Sequence, residues 1–253
     1  MQIYAMTNLM IQATIDATIA EEAIGEDDGY ARLTALTKSI SSVHPSLENW
    51  FSLANTKGGA TISLEDKSAF LADAAQNNSQ DYAGGFRAVL STASNDKEWL
   101  KPGRALLTFE PGQGYITFEI YDPINAYGEA GASEIFRSSI KAIAQTESII
   151  FSGTDVSTRP QSGKEIKIYM GENQLFPHRR WLGWMGFVPH MVEAKHIPEA
   201  AALIPVGTKG TVIVAVDECF DLNNPAHLKR AHQVEARMAH VGLLDVTDTS
   251  LLS

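Results

Sequence analysis

Residues 104–123 read RALLTFEPGQGYITFEIYDP, and this stretch decides the fold. On one side of PGQG, Leu106 and Thr108 recur at every second position; on the other, Ile116, Phe118 and Ile120 do the same. Period two is the signature of a half-buried strand, and Pro111, Gly112 and Gly114 between the runs are turn formers. The stretch therefore predicts an antiparallel hairpin.

Working outward, MIQATIDATI (10–19) alternates as a strand, and EEAIGEDDGY after it reads as an acidic loop. Tyr30, Leu33, Leu36, Ile40 and Val43 are spaced by threes and fours, which predicts an amphipathic helix ending near His44, where Pro45 disfavours helical geometry for the residue before it. A second helix is signalled by SLEDKSAFLADAA, with Ser63 as N-cap and Asp66 as the reciprocal partner of a capping box. FRAVLSTA reads as a strand. Downstream of the hairpin, Ile135, Phe136, Ile140 and Ile143 form one stripe of a helix over 133–147, and SIIFSGTDV and KEIKIYM read as strands. The C-terminal part pairs an apolar strand, GTVIVAVDE, with a helix that has Asn224 as N-cap, Pro225 at its first position and Gly242 just past its end. The sum is an α+β fold, an antiparallel or mixed β-sheet with helices packed on it.

With 253 residues, 44% of them hydrophobic, the chain is long enough to bury a substantial core. It is expected to form one domain over 1–253, with the Gly/Ser/Thr-rich stretch 153–163 as the candidate place for a split into two subdomains. No run approaches the length of a membrane span, and the first 22 residues carry no Lys or Arg and an interrupted apolar run, so a cytoplasmic location is expected. Cys219 is the single cysteine; it lies in an apolar run and reads as a buried small hydrophobe. Thirty acidic against twenty basic residues leave a charge of −10, which argues against direct nucleic-acid binding and suits a basic protein partner.

The densest cluster of chemistry-bearing residues is RRWLGWMGFVPHMVEAKH (179–196). His190, Glu193 and His196 stand three apart, so on a helix the two histidines diverge by about 120° and cannot meet at one ion. Trp181, Leu182, Trp184, Met185 and Phe187 alternate with Gly183 and Gly186, the pattern of a bent strand whose glycines permit close backbone approach. Its main reading is packing; as a second reading, Trp181 and Trp184 are candidate interface aromatics, able to serve a homodimer. The carboxylates of DECFDLNN fail the calcium-loop pattern, since Cys219 and Leu222 occupy the third and sixth positions. His227 and His232, five apart, sit on different faces of the last helix. No nucleophile elbow, phosphate-binding glycine loop or cysteine cluster is present, so neither metal nor cofactor is expected.

Three stretches carry a resemblance. GTKGTVIVAVDECFDLNNPAHLKRAHQVEARMAHVGLL (207–244) resembles the strand, turn and final helix of the immunity protein 52 family, GWM (183–185) is similar to its glycine-tryptophan motif, and HPSLENWF (44–51) is similar to the end of its first helix. The resemblance implies an α+β antitoxin, not an enzyme, that binds and neutralises a cognate toxin with a restriction-endonuclease-like nuclease domain, of the kind delivered between competing bacteria by type VI secretion. The family supplies no catalytic residues. Acidic groups that could imitate DNA phosphates are the first candidates for toxin contact: Glu21, Glu22, Glu26, Asp27 and Asp28, and Asp217, Glu218 and Asp221. Two other readings stay open, a small hydrolase or nucleotide-modifying enzyme built from His44, His178, His190 and Glu193, and a dimeric adaptor subunit.

Overall fold

The computed structural model describes residues 9–54, 59–77, 84–160, 166–177 and 179–244. The chain opens with β1 (Leu9–Ile19), α1 (Glu26–Ser41), β2 (Phe51–Ser52), α2 (Lys67–Asn77), β3 (Ala88–Ser91) and the single turn α3 (Asp96–Trp99). The predicted hairpin follows as β4 (Ala105–Glu110) and β5 (Tyr115–Tyr121), joined by a 3-10 turn and closed by Gly114 in the left-handed region at φ 72°. Then come α4 (Pro123–Thr146), β6 (Ile149–Pro160), β7 (Lys167–Ile168), β8 (Met185–Val188), β9 (Ala202–Val206), β10 (Gly210–Val214) and α5 (Pro225–His240).

The hairpin lies in a seven-stranded sheet of order β2-β3-β4-β5-β1-β6-β7, every neighbouring pair antiparallel, and β8-β10-β9 form a second, three-stranded antiparallel sheet. The fold is α+β, as the pattern of elements predicts. Alternation divides the large sheet into two faces. Ile11, Ala13, Ile15 and Ala17 of β1, Ala105, Leu107 and Phe109 of β4, and Ile116, Phe118 and Ile120 of β5 are buried, against α1 and α4. Leu106 and Thr108 point the other way, to a half-exposed face shared with Gln12, Thr14, Asp16 and Thr18. One continuous core holds residues of both sheets and of α1, α4 and α5.

Three element boundaries differ from the sequence expectation. The acidic stretch expected to be all loop enters α1 at Glu26, so Glu26, Asp27 and Asp28 form the first helical turn, where carboxylates meet the positive end of the helix dipole. α2 starts at Lys67, and its cap is Asp66, whose Oδ1 accepts from Ala69 N at 3.1 Å; Ser63 Oγ instead accepts from Glu65 N in the turn before it. α4 starts at Pro123, ten residues before the expected start at 133, with its first turn set off from the rest by Gly128 at φ 71°. The stretch 153–160 lies inside β6, paired in continuous register with β1.

β6 also joins the two sheets. Thr154 N donates to Leu182 O at 2.9 Å and Trp184 N to Thr154 O at 3.3 Å, a parallel bridge between Thr154 and Gly183. The expected role of the glycines is visible here: a Cβ on Gly186 would stand 1.9 Å from Ser152 O, and one on Gly153 would stand 2.3 Å from Trp181 O.

Candidate protein interface

The 181–184 segment is pinned by a residue the sequence gave no reason to single out. Glu235 of α5 is 1% exposed, and its carboxylate accepts from Leu182 N at 2.9 Å, Gly183 N at 3.1 Å and Leu175 N at 3.2 Å. Two of these backbone donors fix the Trp-Gly segment onto the last helix, and all three stand where a cation would otherwise be needed. Burial, followed by the Glu235 charge, raises the pKa of the neighbouring Tyr169 hydroxyl, keeping it neutral. Trp184 is fully buried, its Nε1 donating to Val216 O at 2.9 Å and its ring 5.2 Å from that of Phe136. It is a core residue with no surface to offer a partner. Trp181 is half-exposed and lies over Gly153.

The first acidic cluster divides. Glu22 and the buried Glu147 share Arg32, at 2.9 and 2.6 Å. Asp27 pairs with Lys67 at 2.7 Å, and that hydrogen bond holds its carboxyl below the usual range. Glu21, Glu26 and Asp28 are exposed, with no ion pair among the described residues. In the second cluster, Asp217 binds Arg137 at 2.6 Å and Asp221 Oδ1 accepts from Asn223 N at 2.8 Å, while Glu218 is exposed. Glu147 follows the end of α4 and Arg137 lies ten residues earlier, so helical rise separates these two anchoring points by roughly 15 Å.

The described residues of the enzyme reading sit in two separate places. His44 caps a 3-10 turn through Ser46 N and packs edge-on to Tyr127, whereas His190 and Glu193 are on the exposed loop after β8, where Glu193 pairs with Lys195. His178 lies outside the described residues. Cys219 is buried, its thiol pushed up to about 12 by desolvation first, so it is a poor nucleophile. Among the described residues no three His, Cys, Asp or Glu side chains converge as a metal set, and no helix is long and apolar enough to cross a membrane.

A protein-family model matches residues 138–247, the span that contains Trp181, Gly183 and Glu235. That model describes the immunity protein 52 family. The immunity protein 52 match thus bears out the likeness read at 183–185 and 207–244, and the likeness read at 44–51 lies outside it. No curated protein matches the chain. Among solved structures, the Pseudomonas aeruginosa T6SS protein PA0821 is similar at 10% identity and a TM-score of 0.48, covering 90% of this chain and 72% of that one.

The carboxylates that sequence reasoning passed over are on the half-exposed sheet face. Asp16 of β1 has no hydrogen bond or ion pair among the described residues; burial first, then the charge of Asp155 on β6, push its carboxyl up to about 7. Asp155 is also raised, by burial, against hydrogen bonds from the backbone of Met170, Val156 and Tyr169. The signal was present in MIQATIDATI, whose polar positions are Gln12, Thr14, Asp16 and Thr18.

Proposed function

We propose that the chain is an immunity protein that works in the cytoplasm by binding a nuclease-type toxin delivered by type VI secretion or a related system, and by occluding it without chemistry of its own. The observation that carries the reading is the immunity protein 52 match over residues 138–247. Two features support it. A charge of −10 suits a partner whose own surface must be basic to hold DNA. Among the described residues of the enzyme reading, His44 stands on a different element from His190 and Glu193, and neither histidine has a base-orienting contact with Glu193.

Genes for immunity proteins of this kind stand beside those of their toxins, so the partner is the product of the neighbouring gene. Mixing the two purified proteins is expected to give a one-to-one complex in which DNA cleavage stops. Cleavage that continues at saturating concentrations of this chain would reject the reading.

A further inference from the structure

We propose that the half-exposed face of the seven-stranded sheet, centred on Asp16 and Asp155, is the surface on which an arginine- or lysine-bearing patch of the cognate toxin docks. This rests on the function proposed above and names the surface that performs it.

Strand register lays the face out in rows. Val89, Thr108, Thr117, Asp16 and Gly153 stand side by side across β3, β4, β5, β1 and β6, and the next row holds Leu106, Glu119, Thr14 and Asp155. Asp16 and Asp155 are therefore diagonal neighbours, roughly 7 Å apart, a gap that one guanidinium can bridge. Trp181, lying over Gly153 directly across from Asp16, supplies an aromatic wall beside the pair. The face is rich in hydroxyls and bordered by exposed apolar groups: Val89 at 38%, Tyr115 at 36% and Met170 at 49% exposure. Such a mixture suits a protein partner.

The charges on the face leave these two acids in excess. Glu119 is satisfied within the chain, by Gln12 Nε2 at 2.7 Å and Arg104 at 3.2 Å, and Arg104 is itself held over the rings of Trp99 and Tyr121. Arg180 is engaged over the ring of Phe151, in the outer row beyond Asp16 that also holds Thr18, Tyr115 and Glu110. Asp155 accepts from Met170 N at 2.8 Å, and Glu172 on the following turn adds a further negative charge near it. Among the described residues, no cation pairs with Asp16. A half-buried carboxylate without a counter-ion costs stability in the free protein, and an incoming cation recovers that cost on binding. The acidic clusters differ, since Glu22, Asp27, Asp217 and Asp221 already have partners in the chain.

The test is a calorimetric titration of the full chain with the product of the neighbouring gene, inactivated at its nuclease site. Asp16→Lys is expected to weaken binding by roughly a hundredfold and Asp16→Asn with Asp155→Asn by about tenfold, the asparagine at 155 still able to accept from Met170 N. Thr117→Arg, which crowds Asp16 from the next strand, should weaken it as well. Reversing Glu26, Asp27 and Asp28 to lysine should change it less than about threefold. Melting temperatures guard against misfolding, because Asp16→Asn is expected to preserve or raise the melting temperature. If the wild type binds and Asp16→Lys stays within threefold of it, this surface is wrong and the proposed function stands. Absence of binding by the wild type would overturn both. A homodimer that Asp16→Lys dissociates, with toxin binding intact, would assign the face to a second copy and overturn the proposal.

Discussion

Glu235 and Asp16 are both carboxylates drawn out of water, and what surrounds them sets opposite consequences. Glu235 accepts from three backbone N–H groups, so Glu235→Ala would orphan those donors at once. A loss of about 3 kcal/mol is expected in urea unfolding, with the near-ultraviolet signal of Trp184 changed. Asp16 has no such donors, and its folded pKa of about 7 stands above its usual 3.8. Folding therefore favours the protonated form: the chain is most stable with respect to this group below about pH 4 and loses that stability as pH rises toward 7. Asp16→Asn should raise stability at pH 8 by on the order of 2 kcal/mol, after discounting the full shift for partial exposure, and change little at pH 4. Equal melting temperatures for the two proteins at pH 8 would show that the carboxylate is not strained by its surroundings.

At the scale of elements, the crossing of β6 with the segment leading into β8 holds the two sheets together. Gly186→Ala would put a methyl 1.9 Å from Ser152 O and force the strands apart, a cost of about 2–3 kcal/mol measurable by thermal unfolding. Gly171→Ala, with nothing within 4 Å, should cost only the strain of its left-handed backbone, about 1 kcal/mol. Equal losses would refute the close-approach explanation. The 183–186 glycines were legible as packing devices because they alternate with bulky groups, and the hairpin and α5 were legible because their turn and cap residues are local. The start of α4 was not: Pro123–Tyr127 has no apolar stripe, and Gly128 hides the continuity. Glu235 was invisible because its partners are backbone groups more than 50 residues away. The open sheet face was half-legible, since period two marked Asp16 as outward-facing while only strand register could set it diagonal to Asp155.

Over the whole molecule, one face of the large sheet carries the helices and the other stays polar, with the Trp-Gly segment folded over its β6 side. A rigid sheet backed by a continuous core suits a protein that binds without rearranging, since little ordering entropy is lost on contact. The excess of ten negative charges adds long-range attraction toward any basic partner, the proposed nuclease toxin included. Neutralisation by contact is most directly tested in cells expressing the product of the neighbouring gene, scored for survival with and without this chain. Survival is predicted with the wild type and loss of survival with Asp16→Lys at equal protein levels; death of the cells despite abundant, folded wild-type chain would contradict the account.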